Sequence, residues 1–216
     1  MEIMSSTTEI PAINRPTRSL KRLNVVKLLL MGPANAGKSK LGKKLAEVFN
    51  YNKRKNTSNF DSNGESYLPT PGIDFYTVKM QEDSHSYVLW ELGGQEHYQP
   101  LWNIWWKGAK GAFVVIDSTT MMESYLTKVR KIIELIRGTL SLPFLVCLNK
   151  LDLSICNKTV LKNISDYLDV EEEKIIPVSA VTGLNVKNAL YFLKELSNCL
   201  NSLILLLKTV LVYKKI

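Results

Sequence analysis

Asn-Val-Val-Lys-Leu-Leu-Leu-Met-Gly-Pro-Ala-Asn-Ala-Gly-Lys-Ser-Lys-Leu, residues 24 to 41, reads as a buried strand, a glycine-bounded loop and the start of a helix in succession. The apolar run Val25 to Met31 has the length and β-branching of a parallel central strand, and Lys40 to Phe49 sets Leu41, Leu45 and Val48 on one helical face. Between them, Gly32, Gly37, Lys38 and Ser39 satisfy G-x-x-x-x-G-K-[ST]. A triphosphate needs many donors at close range, and a loop running from Gly32 through Asn35 and Ala36 to Gly37 can aim consecutive backbone N–H groups at one. Lys38 adds a point charge for the β- and γ-phosphates, and the Ser39 hydroxyl is the expected first protein ligand of Mg²⁺.

The chain has 216 residues, 45% of them hydrophobic, which suits one domain with tails and a sizeable core. Cys147, Cys156 and Cys199 show neither metal spacing nor a paired framework, so they read as structural thiols of a reducing, cytoplasmic compartment. A net charge of +8 implies attraction to an anionic surface: lipid headgroups, nucleic acid or an acidic partner. The opening segment has no secretory pattern, and Glu2 stands where an N-myristoylated glycine would be needed.

Residues 1–22 are polar, contain Pro11 and Pro16, and carry Arg15, Arg18, Lys21 and Arg22; they read as a flexible basic arm, either a solvated tail or a membrane-surface segment. The main domain spans residues 23–200. Inside it, residues 50–68 form a polar inserted loop too long for a plain connector, which leads into Pro69-Thr70-Pro71-Gly72. Two strand-like runs, Asp74 to Met80 and Ser86 to Leu92, form an antiparallel edge hairpin turned at Gln81 to Ser84. The second run ends in Gly93-Gly94, which leaves the next segment free to shift, and a short helix follows over Pro100 to Lys107. Gly111 to Asp117 is another buried parallel strand, and Met121 to Arg137 is helical until Gly138 stops it. Pro143 to Leu148 is a strand, residues 157–168 a helix, and Ile175 to Val178 a last strand. A final helix from Asn185 carries Val186, Leu190, Leu193, Leu196 and Leu200 on one stripe. This alternation predicts an α/β fold: a doubly wound, mostly parallel sheet with one antiparallel edge strand and ligands at the carboxyl ends of its strands. Residues 201–216 continue as an apolar helix or tail. The run from Leu200 to Tyr213 is about 21 Å long as a helix, short of the roughly 30 Å hydrocarbon core, so surface attachment or partner docking is expected rather than spanning.

Four further loops carry site residues in order: Thr70; Glu91-Leu92-Gly93-Gly94-Gln95; Asn149-Lys150-Leu151-Asp152; and Ser179-Ala180. The third has chemistry that follows from the base. Guanine offers N1–H and a 2-amino group side by side, and the single carboxylate of Asp152 can accept both; adenine would leave a buried carboxylate unpaired. The full set resembles the Ras superfamily of small GTPases over about residues 23–200, with the Arf-like and Rab-like branches closest, and implies their P-loop NTPase fold. The resemblance further implies GTP/GDP and Mg²⁺ as ligands and slow GTP hydrolysis in a molecular switch of membrane traffic or membrane-associated signalling. By the same resemblance, Thr70 ligates Mg²⁺ and the γ-phosphate from switch I, Gly94 gives its amide to the γ-phosphate from switch II, and Gln95 orients the attacking water. Asn149, Lys150 and Asp152 match N-K-x-D, and Ser179-Ala180 matches the S-A-K loop whose alanine amide meets guanine O6; Val181 replaces its lysine. Phe75, Trp90 and Trp105 match the hydrophobic triad that Rab-like proteins present to effectors. Effectors, an exchange factor and an activating protein are the implied partners, with peripheral membrane contact and no nucleic acid.

The pattern is broken at Glu91, where the family has an aspartate that holds Mg²⁺ through a water. An arm one methylene longer must either ligate directly or bend away and leave the metal under-supported. Leu68 leaves no arginine in cis, so an activating protein is expected to supply one. Two rival readings stand beside a cycling switch: a GTP-binding scaffold whose cycling Glu91 impairs, and an ATP-dependent kinase sharing only the phosphate loop, which Asp152 argues against.

Overall fold

The computed structural model describes residues 24–50, 72–80 and 85–198. The basic arm, the inserted loop beyond Asn50 with Leu68 and Thr70, the turn at Gln81 to Ser84 and the tail from Cys199 onward lie outside the described residues. Six strands, β1 (Asn24–Met31), β2 (Ile73–Lys79), β3 (His85–Leu92), β4 (Gly111–Asp117), β5 (Phe144–Asn149) and β6 (Ile175–Pro177), form one sheet in the order β2-β3-β1-β4-β5-β6. Every described pairing is parallel except that of β2 with β3, where Phe75 lies opposite Trp90. The expected doubly wound sheet with its antiparallel edge is what forms.

Helices α1 (Lys38–Asn50), α2 (Gln99–Trp105), α3 (Glu123–Leu135), α4 (Lys158–Leu168) and α5 (Val186–Asn198) cover the sheet. Successive strand side chains alternate between faces. Leu28 and Leu30 accordingly join Leu41, Leu45, Leu190 and Leu193 in one core, while Leu29 and Met31 join Val129, Ile133, Leu161 and Ile164 in the other. Strands β4 and β5 are buried along their whole length, which is why they read as unbroken apolar runs. Cys147 and Cys156 are buried free thiols whose pKa values burial raises. No helix among the described residues is long and apolar enough to cross a membrane.

One expected boundary is wrong. Gly138 does not stop α3; the chain runs on through a π-helical turn, Ile136–Leu140, and reverses at Ser141, whose φ of 48° is left-handed. Ile136 is fully buried and Leu140 packs on the same core, so apolar burial holds the turn against a glycine cost of about 1 kcal/mol. At α4 the local signal suffices: the Asn157 side chain accepts the Val160 N–H at 2.9 Å, a cap contributing about 1 kcal/mol.

Candidate nucleotide site

The loop after β1 turns on Asn35 (φ 61°) and Gly37 (φ 87°), and a Cβ on Gly37 would lie 2.3 Å from Asn149 Nδ2. Glycine is therefore required there both for backbone angle and for space. Lys38 is buried, and its ammonium donates to the Gly32 and Pro33 carbonyls at 3.1 and 2.8 Å. Burial pushes this ammonium down to about 8, against the opposing charge of Glu91. Gly94 comes onto the same loop: a Cβ there would stand 2.5 Å from Lys38 Nζ and 2.6 Å from Ala34 N. Gln95 follows directly, half-buried, ahead of a 3₁₀ turn over Glu96–Tyr98. The segment after β3 is less free than its paired glycines suggest, because the Gly93 N–H donates to the Gly72 carbonyl at 2.7 Å and the Tyr98 ring packs on Gly93.

Ser39 and Glu91 meet at the head of α1. Ser39 Oγ donates to Glu91 Oε1 at 2.7 Å, so the longer carboxylate stays at the expected metal ligand and does not bend away. Neighbouring oxygens around an octahedral Mg²⁺ with bonds of about 2.1 Å are roughly 3 Å apart, close to this spacing. The donor set therefore fits the ion: hard oxygens from one hydroxyl and one carboxylate, with phosphates and water completing the shell. No cluster of three metal-binding acids, histidines or cysteines occurs among the described residues. Thr70, the third expected ligand, lies outside the described residues.

At the base end, Asn149 uses both ends of its amide on backbone. Its Nδ2 donates to Ala36 O and its Oδ1 accepts from Ala180 N–H, each at 3.0 Å, tying the phosphate loop to the last loop of the site. The Ala180 amide expected to meet guanine O6 is thus already donated to Asn149. Ser179 Oγ donates to Asp152 Oδ1 at 2.5 Å and accepts from the Thr182 N–H at 3.1 Å, which fixes the carboxylate. Asp152 itself is exposed, so the desolvation expected of it has to come from the base that covers it.

Asp117 and Thr119 join the site through Lys150 without belonging to any of the motifs. Lys150 has a left-handed backbone (φ 67°), uncommon for its type, and its ammonium reaches Asp117 Oδ2 at 2.6 Å. Thr119 binds the other Asp117 oxygen through both N–H and Oγ1, at 2.9 and 2.7 Å. Burial works to raise the Asp117 carboxyl, but the bonds from Lys150 and Thr119 together with the Lys150 charge outweigh it and hold the group below its ordinary value. An acid closing an otherwise apolar strand was the available signal. Tyr76 is the other addition, since its hydroxyl donates at 2.8 Å to Glu91 Oε2.

Of the three aromatics expected to face partners, Phe75 and Trp90 touch edge to face, with ring centroids 4.8 Å apart at 89°. Phe75 is 51% exposed, whereas Trp90 is half-buried with the Lys27 ammonium 3.3 Å above its ring centre. Trp105 is half-buried against Gly72 at the entry to β2. Trp102 is the tryptophan of α2 that goes fully inside, its indole N–H on the Gly93 carbonyl at 3.3 Å.

Comparison with known proteins agrees with this geometry. The chain is 27% identical to the Ras-related protein Rab-22A of Mus musculus over 76% of its length and 79% of the relative's. It is 26% identical to human Rab-31 over 75% of its length and 77% of that protein's, and 29% identical to Rab-4B of Rattus norvegicus over 82% and 77%. The ADP-ribosylation factor family model matches residues 15–197. A phosphate loop clasped to the N-K-x-D loop, on a sheet of this order, is thus found in a chain that belongs to the ADP-ribosylation factor family of small, GTP-binding GTPases within the Ras superfamily.

Proposed function

We propose that this chain is a GTP/GDP-dependent switch that binds GTP with Mg²⁺, orders its switch loops for an effector and hydrolyses the nucleotide slowly, in membrane traffic or membrane-associated signalling. The observation that carries the reading is the Asn149 clasp, which ties the phosphate loop to the Ser179-Ala180 loop, whose Ser179 in turn fixes the Asp152 carboxylate. Asp152 reads guanine, the loop amides and Lys38 hold the β- and γ-phosphates, and Ser39, Thr70 and Glu91 hold the metal, which neutralises charge on the phosphates when bound. Gln95 orients a water in line with the γ-phosphorus; its attack breaks the bond to the β,γ-bridging oxygen and yields GDP, phosphate and a proton. With leucine at position 68, unaided turnover is of the order of 10⁻⁴ to 10⁻³ per second, and an activating protein supplies the missing arginine. Effectors meet the switch loops and the surface of Phe75, Trp90 and Trp105.

The test is single-turnover hydrolysis of bound GTP beside a Gln95→Leu variant. Slow release of phosphate that the variant reduces at least about tenfold supports the cycling switch. Tight GTP binding with equal, negligible hydrolysis in both proteins selects the second reading, a non-cycling scaffold. That alternative is motivated by Glu91, whose carboxylate is engaged by Ser39 and Tyr76 together.

A further inference from the structure

Glu91 stands beside two further oddities. The first is Gly42, inside α1, where glycine costs about 1 kcal/mol relative to alanine. The second is Tyr76, on the α1-facing side of the edge strand β2. The structure joins the three. A Cβ at Gly42 would stand 2.4 and 2.5 Å from ring carbons of Tyr76, so the ring occupies the place a side chain on the helix would take. Seated there, its hydroxyl lies 2.8 Å from Glu91 Oε2, while Ser39 Oγ holds Oε1 at 2.7 Å.

We propose that the Tyr76 hydroxyl is a positioning group: it pins the second oxygen of Glu91 so that the first stays at Ser39, and thereby sets the Mg²⁺ dependence of nucleotide release. The inference rests on the switch reading above. A glutamate has one more rotatable bond than the family's aspartate, and only a second anchor turns that freedom into one carboxylate position. Tyr76 also lies 2.9 Å from Asp74 Oδ2, and one phenol proton cannot serve both acids. Asp74 is exposed, and its other oxygen already accepts the Phe75 N–H at 2.7 Å, whereas Glu91 is 1% exposed and loses far more from an unmade bond. The proton therefore belongs to Glu91.

The decisive measurement is release of a fluorescent GDP analogue against free Mg²⁺ for Tyr76→Phe, which keeps the ring over Gly42, in the parent and in a Glu91→Asp background. Loss of a bond to a charged group should raise the Mg²⁺ midpoint about tenfold in the parent background. In the Glu91→Asp background, with the carboxylate withdrawn by about 1.5 Å, the shift should be under about twofold. Release in excess chelator should be the same with and without the hydroxyl, an equality that general loosening of the fold would not give. Gly42→Ala, which displaces the ring while keeping the hydroxyl, should raise the midpoint in the same direction. Labelled GDP that binds with an unmoved midpoint, or equal shifts in both backgrounds, overturns the positioning role alone; failure of the parent to bind GDP overturns the switch reading and this inference with it.

Discussion

At the base end of the site, Asn149 and Ser179 tie separate loops together and engage backbone groups; around Ser39 at the metal end, side chains bind one another. Asn149 joins two loops through a carbonyl and an N–H, and Ser179 both anchors Asp152 and accepts a main-chain amide. Around Ser39, by contrast, the contacts are hydroxyl to carboxylate and phenol to carboxylate. Backbone groups are the same in every sequence, so the base end needs only a few fixed partners. The metal end depends on which side chains happen to face each other, and there Glu91 stands in place of the aspartate expected from the family's pattern.

The contrast predicts large effects at one end and graded ones at the other. Asp152→Asn should do most: guanine selectivity of at least about 10³ over adenine should disappear and preference should move to xanthine nucleotides, as read by titration calorimetry. ATP binding the parent as tightly as GTP would remove this loop from base recognition. Asn149→Ala leaves Ala36 O and Ala180 N–H without their side-chain partner and should weaken GDP binding about 100-fold and lower the melting temperature of the nucleotide-free protein. If affinity falls with no loss of stability, the clasp is not what couples the loops.

Asp117→Asn should speed GDP release about tenfold, because Lys150 then holds its left-handed backbone without an ionic anchor. Its pH dependence has a definite sign. The folded carboxyl lies below its ordinary value, so its contribution to stability is complete above about pH 4 and is lost as pH falls toward the folded value. The difference in melting temperature between parent and variant should therefore shrink below about pH 4. A difference that stays constant into acid would assign the effect to shape rather than charge.

The smallest change is expected from Glu91→Asp, with GDP release slowing about two- to fivefold and the Mg²⁺ midpoint falling. Glu91 remains at Ser39 in the structure, so compensation is substantial and the gain from reverting it is modest. Equal rates and midpoints would make the longer arm neutral.

Much of this could be read from the chain. The phosphate loop, the N-K-x-D loop and the alternation of strands and helices are local patterns, each decided by residues within one element and its next turn. What could not be read depends on partners far apart in sequence. Tyr76 and Gly42 are 34 positions apart, and nothing links the helix glycine to the tyrosine until β2 lies along α1. Asp117 and Lys150 are separated by a helix and a π turn, and they meet because β4 and β5 run parallel in register, Asp117 opposite Asn149. Gly138 was misjudged for the opposite reason: a local rule about helix ends lost to the burial of Ile136.

The sequence by itself thus determined the fold class, the order of the loops and which residue types face a guanine nucleotide, because backbone geometry and donor chemistry act over short stretches. Only the tertiary structure decided that Glu91 stays at Ser39, that Asp152 waits exposed for its base, and that a helix glycine makes room for a tyrosine reaching the metal end. Those outcomes turn on packing between separate elements at ångström scale, where one methylene or one missing Cβ sets which groups can touch.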